Sequence, residues 1–116
     1  MKHLKKGKKF GRKKGQRAAF IKGLAANMIQ REKIVTTETR AKALRPVVER
    51  MITHGKKQNL AGLRLLMRKL PKIQAYKMQH EIAPKYKERS GGYTRITKQT
   101  KRKQGDGAKM ATIEFV

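Results

Sequence analysis

Apolar residues recur at helical spacing through the first half of the chain. Between residues 16 and 31 they form one broad stripe, made of Phe20, Ile21, Leu24, Ala25, Met28 and Ile29. Intervals of three and four residues place side chains on one face of an α-helix. The same intervals separate Ala41, Leu44, Val48 and Met51 between residues 38 and 54. The pattern therefore predicts two amphipathic helices, and the short β-branched run between them, residues 33–37, predicts a strand.

Capping and helix-breaking residues delimit the second helix. Thr37 suits its N-cap, because a hydroxyl there can accept a hydrogen bond from a free backbone N–H. Pro46 lies inside the pattern and predicts a kink or a break, since proline has no backbone donor to give. Gly55 is expected to end the helix.

Two further helices are predicted before residue 90. Asn59 can cap a third helix, which Pro71 would stop. Its expected inner face consists of Leu60, Leu63, Leu66, Met67 and Leu70. A fourth helix is expected from Lys72 to about Ala83, where Pro84 prevents its continuation. Its expected core residues are Ile73, Tyr76 and Ile82.

Glycines precede two strand-like runs in the last third of the chain. Gly91 and Gly92 come before Tyr93, and a Gly-Asp-Gly turn comes before residues 108–116. At least one of the two neighbouring glycines is expected to have a positive φ. Alternation along the second run places Ala111, Ile113 and Phe115 on one face. These features predict an antiparallel hairpin with a long basic loop, residues 99–107, at its tip.

The order of these elements predicts an α+β fold in two layers, with helices packed on a small mixed sheet. A chain of 116 residues is expected to form one domain. The expected organisation is a basic N-terminal arm, residues 1–15, followed by a compact domain, residues 16–116.

The charge of the chain points to an anionic partner. Lysine and arginine number 32 against 7 acidic residues, which gives a net charge of +25. Nucleic acid is the first candidate for so basic a chain, and a membrane surface is the second. Residues 1–14 hold eight cations and no acid, so this arm is expected to be disordered alone and to become ordered along phosphates. Phe10 could stack on a base or dock on the protein itself.

Other classes of protein find little support in the sequence. The absence of cysteine excludes disulfides and thiolate zinc sites. His3, His54 and His80 match no ligand spacing, and no nucleophile has a histidine base in a signature context, so no metal, cofactor or catalytic residue is expected. The sequence predicts neither a membrane span nor a signal peptide.

Several stretches together carry a resemblance to a known family. They are Gly91-Gly92-Tyr93-Thr94-Arg95-Ile96, then Gly105-Asp106-Gly107-Ala108 with Met110 and a terminal strand, then Met1-Lys2-His3 before a lysine- and glycine-rich arm, and finally Ile34-Val35-Thr36-Thr37 and Ala41-Lys42-Ala43-Leu44-Arg45. In these stretches the chain resembles the family of the seventeenth protein of the bacterial large ribosomal subunit. The resemblance implies an α-β-α-α-α-β-β arrangement and a structural role in the cytoplasmic ribosome. It also implies contacts with neighbouring ribosomal proteins near the outer end of the peptide exit tunnel.

Large-subunit ribosomal RNA is the expected partner, bound through the arm and the hairpin loop, with no membrane and no small-molecule substrate. The candidate RNA-binding residues are Lys2, His3, Lys5, Lys6, Lys8, Lys9, Phe10, Arg12, Lys13, Lys14, Arg17, Tyr93, Arg95, Lys98, Lys101, Arg102, Lys103 and Lys109. The helix-face cations Lys56, Lys57 and Lys69 are expected to serve solubility instead.

Two competing functions are a nucleoid-type DNA binder and a cationic membrane-active protein. The first would need a dimer interface and a minor-groove wedge, and the sequence has no clear candidate for either. The second is disfavoured because the helix predicted at residues 16–31 has few cations on its polar face.

Overall fold

Four helices and three strands make up the described part of the chain. The computed structural model describes residues 14–102 and 107–116. Its elements are α1 (Lys14–Arg31), β1 (Lys33–Thr37), α2 (Glu38–Gly55), α3 (Leu60–Met67), α4 (Lys72–Lys77), β2 (Thr94–Arg102) and β3 (Lys109–Phe115). A π-helical turn, Met78–Ile82, and a 3₁₀ turn, Ala83–Tyr86, continue α4. The α+β class and the predicted order of elements are confirmed.

The C-terminal strand is the centre of the sheet. The strand order is β1-β3-β2, and β3 pairs antiparallel with both neighbours. The predicted β2–β3 hairpin is therefore confirmed, whereas the expectation of a mixed sheet is wrong for the described strands. β1 and β2 run in the same direction, but they never pair because β3 lies between them. The shared register aligns Ile34, Ile113 and Ile96 in one row across the sheet.

Helix α2 packs against all three strands, against α1 and α3, and against the two turns that continue α4. Its inner face is buried at Ala41, Leu44, Val48, Met51 and Ile52. The helix continues through Pro46, so the predicted break is wrong, while the alternative of a kink stays a prediction. Pro46 is exposed, while Leu44 and Val48 on either side of it are fully buried. Tertiary packing of these neighbours holds the helix together where one backbone hydrogen bond is missing.

The inner faces of α3 and α4 differ in part from the prediction. Ile73 is 78% exposed and Tyr76 is 38% exposed, so neither belongs to the core. The buried residues of this segment are Ala75, Met78, Gln79, Ile82 and Ala83. The helix widens into a π turn at Met78, which has more residues per turn than an α-helix. The prediction assumed 3.6 residues per turn throughout, and it therefore placed Ile82 on the same face as Ile73 and Tyr76. In the preceding helix Leu63 and Leu66 are buried as predicted, but Leu60 and Met67 are exposed.

The predicted local signals at helix and strand starts are confirmed. The Thr37 hydroxyl accepts a hydrogen bond from the Arg40 amide at 3.3 Å. The Asn59 side-chain oxygen accepts one from the Gly62 amide at 2.7 Å. Gly92 has a φ of 64°, as expected for the turn into β2. Since these caps set where α2 and α3 begin, they also fix which cations project from each helix start.

Candidate nucleic-acid interface

Buried tyrosines and a lysine anchor the base of the hairpin. Tyr93 is only 4% exposed, and its ring centroid lies 5.3 Å from that of Tyr86. Its hydroxyl donates to the Arg89 carbonyl at 3.1 Å and accepts from Lys56 Nζ at 3.0 Å. Tyr93, a predicted RNA contact, is thus held inside the protein and does not present its ring to a partner. Lys56 is half-buried and tethers α2 to the hairpin, which corrects its assignment to solubility alone.

The outer face of the sheet carries a row of alternating charges. The register places Glu114 of β3 between Lys33 of β1 and Arg95 of β2. Arg95 donates two hydrogen bonds to Glu114 Oε1, at 3.1 and 2.7 Å, and Lys33 Nζ lies 3.9 Å from Glu114 Oε2. The hydrogen bond from Arg95 lowers the pKa of Glu114. The row keeps a net positive charge, and Glu114 fixes the direction of the predicted RNA-binding Arg95.

Lysines from the hairpin and from α2 surround one carboxylate at the start of α2. Glu38 Oε1 lies 2.9 Å from Lys42 Nζ and 3.8 Å from Lys98 Nζ. The hydrogen bond from Lys42 is the largest cause of the lowered pKa of Glu38, and the charges of Lys98 and Lys109 lower it further. Lys98 and Lys109, both predicted RNA contacts, are therefore brought together at this end of the molecule.

A bulge interrupts the hairpin beyond this point. Lys98 is opposite Ala111 and Arg102 is opposite Lys109, so β2 has more residues than β3 in this part. Bulges increase twist and redirect side chains. The strand continues to Arg102, so the loop is shorter than the predicted residues 99–107. Only the backbone of Lys101 and Arg102 is described.

Helix α1 contacts the first turn of α2 through Phe20. The Arg40 guanidinium, in the first turn of α2, lies 5.0 Å from the centroid of the Phe20 ring. Phe20 is six residues after the first residue of α1, which is about 9 Å along the axis. The predicted contact Arg17 lies between these two points. We give the name basic end to the cluster of Arg40, Lys42, Lys98 and Lys109, which lies at the start of α2.

The remaining predicted contacts fall on residues whose side chains are not described. Lys14 begins α1 and is described by its backbone only. The others lie outside the described residues, namely Lys2, His3, Lys5, Lys6, Lys8, Lys9, Phe10, Arg12, Lys13 and Lys103. The predicted disorder of the free arm concerns these residues too and stays a prediction.

Sequence reasoning missed three cations of this surface. Arg40 and Lys42 lie in the first turns of α2, where the helix dipole opposes positive charge. Cations close behind a predicted N-cap are unfavourable for the helix itself. Their presence in the sequence was therefore an indication of a binding role. Lys33 offered no such signal, because only the register of β1 against β3 places it beside Glu114.

The charges of this surface are suited to electrostatic attraction of anions. Within residues 14–102 and 107–116, no group of three His, Cys, Asp or Glu side chains could hold a metal ion. Over the same residues, no helix has both the length and the apolar character that crossing a membrane requires.

Comparison with known proteins identifies the family. The model of the family described as Ribosomal protein L17 matches residues 20–116. A protein of Persephonella marina named large ribosomal subunit protein bL17 is 51% identical over all of this chain and 95% of its own length. Proteins of the same name from Fusobacterium nucleatum and Thermus thermophilus are 50% and 39% identical, over all of this chain and at least 99% of their own lengths. The chain belongs to the ribosomal protein L17 family.

Proposed function

We propose that this protein is a structural constituent of the bacterial large ribosomal subunit that binds ribosomal RNA through its N-terminal arm, residues 1–15, and its basic hairpin. Membership of a ribosomal protein family supports the first part. The observation that supports the second part is the cluster of cations at the basic end, where Lys98 and Lys109 of the hairpin lie beside Lys42 of α2.

The physical basis of binding is the release of counterions from phosphates. Each lysine or arginine placed on a phosphate frees condensed cations, and this favourable effect grows with the number of phosphates bound. Lys98 is 73% exposed at its side chain, and Lys109 is also exposed. The sheet fixes the backbone of both, so little additional ordering is needed when they meet a phosphate. Contacts of this kind position a protein on RNA without reading its sequence.

Neighbouring ribosomal proteins near the peptide exit tunnel are the other partners that we propose. The family resemblance motivates this placement. Two exposed apolar side chains could serve such contacts, since Val35 on the sheet is 60% exposed and Ile73 on α4 is 78% exposed. The proposed location is the cytoplasmic ribosome.

Sedimentation tests the proposed function. An epitope-tagged copy of the full chain is produced in bacterial cells, and the lysate is separated on a sucrose gradient after a high-salt wash. The proposal predicts that the tag migrates with large subunits. Recovery of the tag only at the top of the gradient, with subunits intact, would contradict it.

A matched pair of variants tests the basic end within the same experiment. Lys98→Gln with Lys109→Gln removes two cations there, whereas Lys85→Gln with Lys87→Gln removes two at the other end of α2. Lys98 and Lys85 are comparable, because each is mostly exposed and lies 3.8 and 3.7 Å from a carboxylate oxygen. The first variant should dissociate from subunits at lower salt than the second. If both variants stay bound to subunits up to the same salt concentration, the basic end does not take part in the binding.

A further inference from the structure

A cavity lies between α1, α2 and the connection from α3 to α4, away from the basic end. Its volume is about 170 Å³. Apolar walls are supplied by α1 through Ala18 and Ile21, and by α2 through Val47 and Met51. An apolar cavity of about 150 Å³ holds one benzene ring. The space is therefore suited to a single six-membered aromatic ring and is small for a fused pair of rings.

Cations surround this apolar space. Lys22, Arg50 and Lys69 line it, and all three are exposed. No carboxylate is among its lining residues in the described chain. A ligand that fills the cavity would thus place an apolar ring between the helices and an anionic group at the mouth. Lys69, expected from the sequence to serve only solubility, lies where such an anion would be bound.

One polar atom beside the cavity lacks a hydrogen-bond partner. The Nδ1 atom of His54 is buried and makes no hydrogen bond to the described residues. Burial lowers the pKa of His54, and the charges of Lys57 and Arg50 lower it further. Buried polar atoms of native proteins normally have a partner. Because Nδ1 has almost no accessible surface, a ligand in the cavity would meet other atoms of the His54 side chain.

The N-terminal arm of the chain is a poor occupant for this cavity. The arm brings eight cations and no acid, and the mouth of the cavity already carries three cations. Repulsion between like charges disfavours that pairing. The same charges attract a polyanion whose monomers each combine a flat ring with a phosphate.

We propose that this cavity receives one unstacked pyrimidine base of single-stranded RNA, with the adjoining phosphate held by Lys22, Arg50 and Lys69. This inference rests on the proposed function, since ribosomal RNA would supply the nucleotide. It adds a second binding site, in which a base is inserted and not only a backbone phosphate bound.

Methionine methyl resonances provide a direct readout. The full chain is labelled with ¹³C at its methionine methyl groups and titrated with the RNA hexamer hexauridylate. Met51 lines the cavity, whereas Met78 is fully buried in the core and does not line it. A base ring beside Met51 should shift its methyl resonance and leave that of Met78 in place. An abasic RNA of the same length and charge should produce at least a tenfold smaller shift.

Substitution of two alanines provides the matched control. Ala18 and Ala61 are both exposed helical residues, but only Ala18 lines the cavity. Ala18→Trp should block the mouth and weaken the hexauridylate response at least tenfold. Ala61→Trp should leave the response unchanged and shows whether a new tryptophan alone disturbs the protein.

Three results would overturn the inference. The first is equal shifts with abasic RNA, which would mean that only phosphates are bound. The second is no shift at Met51. The third is a larger shift with an acidic phenylalanine-containing peptide, which would assign the cavity to a protein partner. Binding of a ribosomal RNA fragment that persists in any of these cases would leave the proposed function standing, whereas loss of all RNA binding would remove both.

Discussion

Two glycines allow the segments after α2 to approach its C-terminal end closely. A Cβ atom at Gly55 would lie 2.9 Å from the Cβ of Ala83, and one at Gly62 would lie 2.6 Å from the carbonyl oxygen of His54. The sequence marks Gly55 as a helix end, which is correct. It does not reveal that packing at these two glycines leaves no room for a side chain. The atom that an added Cβ would meet is either distant in the sequence or on another helix, so the sequence does not show that it is near.

Replacement of Gly62 by alanine should therefore destabilise the protein, although alanine is the better helix former. The new Cβ would collide with backbone, which cannot rotate away. Gly23→Ala is the control, since Gly23 is exposed in α1 with no atom within 4 Å of the added Cβ. That change should raise the free energy of unfolding by about 0.5–1 kcal/mol. Urea denaturation of both variants shows whether each change raises or lowers the free energy of unfolding. A stabilising Gly62→Ala would refute the packing argument.

Burial separates three apolar residues that the sequence alone placed together in the core. Leu44 and Ile113 are fully buried, so truncation of either to alanine should cost about 2–4 kcal/mol of folding free energy. Ile73 is 78% exposed, so Ile73→Ala should change stability by less than about 0.5 kcal/mol. Thermal melts of the three variants test the assignment. A destabilisation at Ile73 as large as that at Leu44 would show that the face of α4 is wrongly placed.

At the scale of elements, the ends of helices and strands were predictable where one residue decides them. Thr37, Asn59 and Gly92 act through bonds or φ angles within their own turns, so the sequence is enough to find them. The π turn after α4 was not predictable, since it depends on packing between segments far apart in the chain. For the same reason the candidate surface was found only in part. The sequence alone identified the cations of the hairpin. It did not identify Lys33, whose position depends on the strand register, or Arg40, whose position depends on the packing of α1 on α2.

Ion pairs that join elements should make stability depend on pH. The pKa values of Glu38 and Glu114 are both below the ordinary 4.5, so each carboxylate stabilises the fold while it is ionised. That contribution is complete above about pH 4.5 and disappears as the pH falls through the lowered pKa. Glu114→Gln should therefore show a smaller decrease in stability than the parent as the pH falls through that range.

The measurement is the urea midpoint at constant ionic strength from neutral pH to below pH 4. Glu88→Gln is the control, because Glu88 is exposed and forms no ion pair with the described residues. It should follow the parent curve. Identical curves for Glu114→Gln and the parent would mean that the row of charges on the sheet does not stabilise the fold.

At the scale of the whole molecule, the net charge of +25 dominates behaviour. The described carboxylates are already surrounded by lysine or arginine at Glu38, Glu114 and Glu32. Most of the cations therefore have no carboxylate to balance them within the chain, and the free protein repels itself. Binding to RNA would relieve this repulsion, which is why affinity and its dependence on salt are the natural measures of function.

The most direct test of the central claim is a titration of ribosomal RNA at several salt concentrations. The intact chain is compared with a variant that lacks residues 2–13, with the Lys98→Gln, Lys109→Gln variant and with the Lys85→Gln, Lys87→Gln control. For every phosphate that a variant no longer binds, the slope of log affinity against log salt should become shallower by roughly 0.7–0.9. The account predicts a shallower slope for the first two variants and the parental slope for the control. Equal slopes for all four proteins would contradict binding through the arm and the basic end.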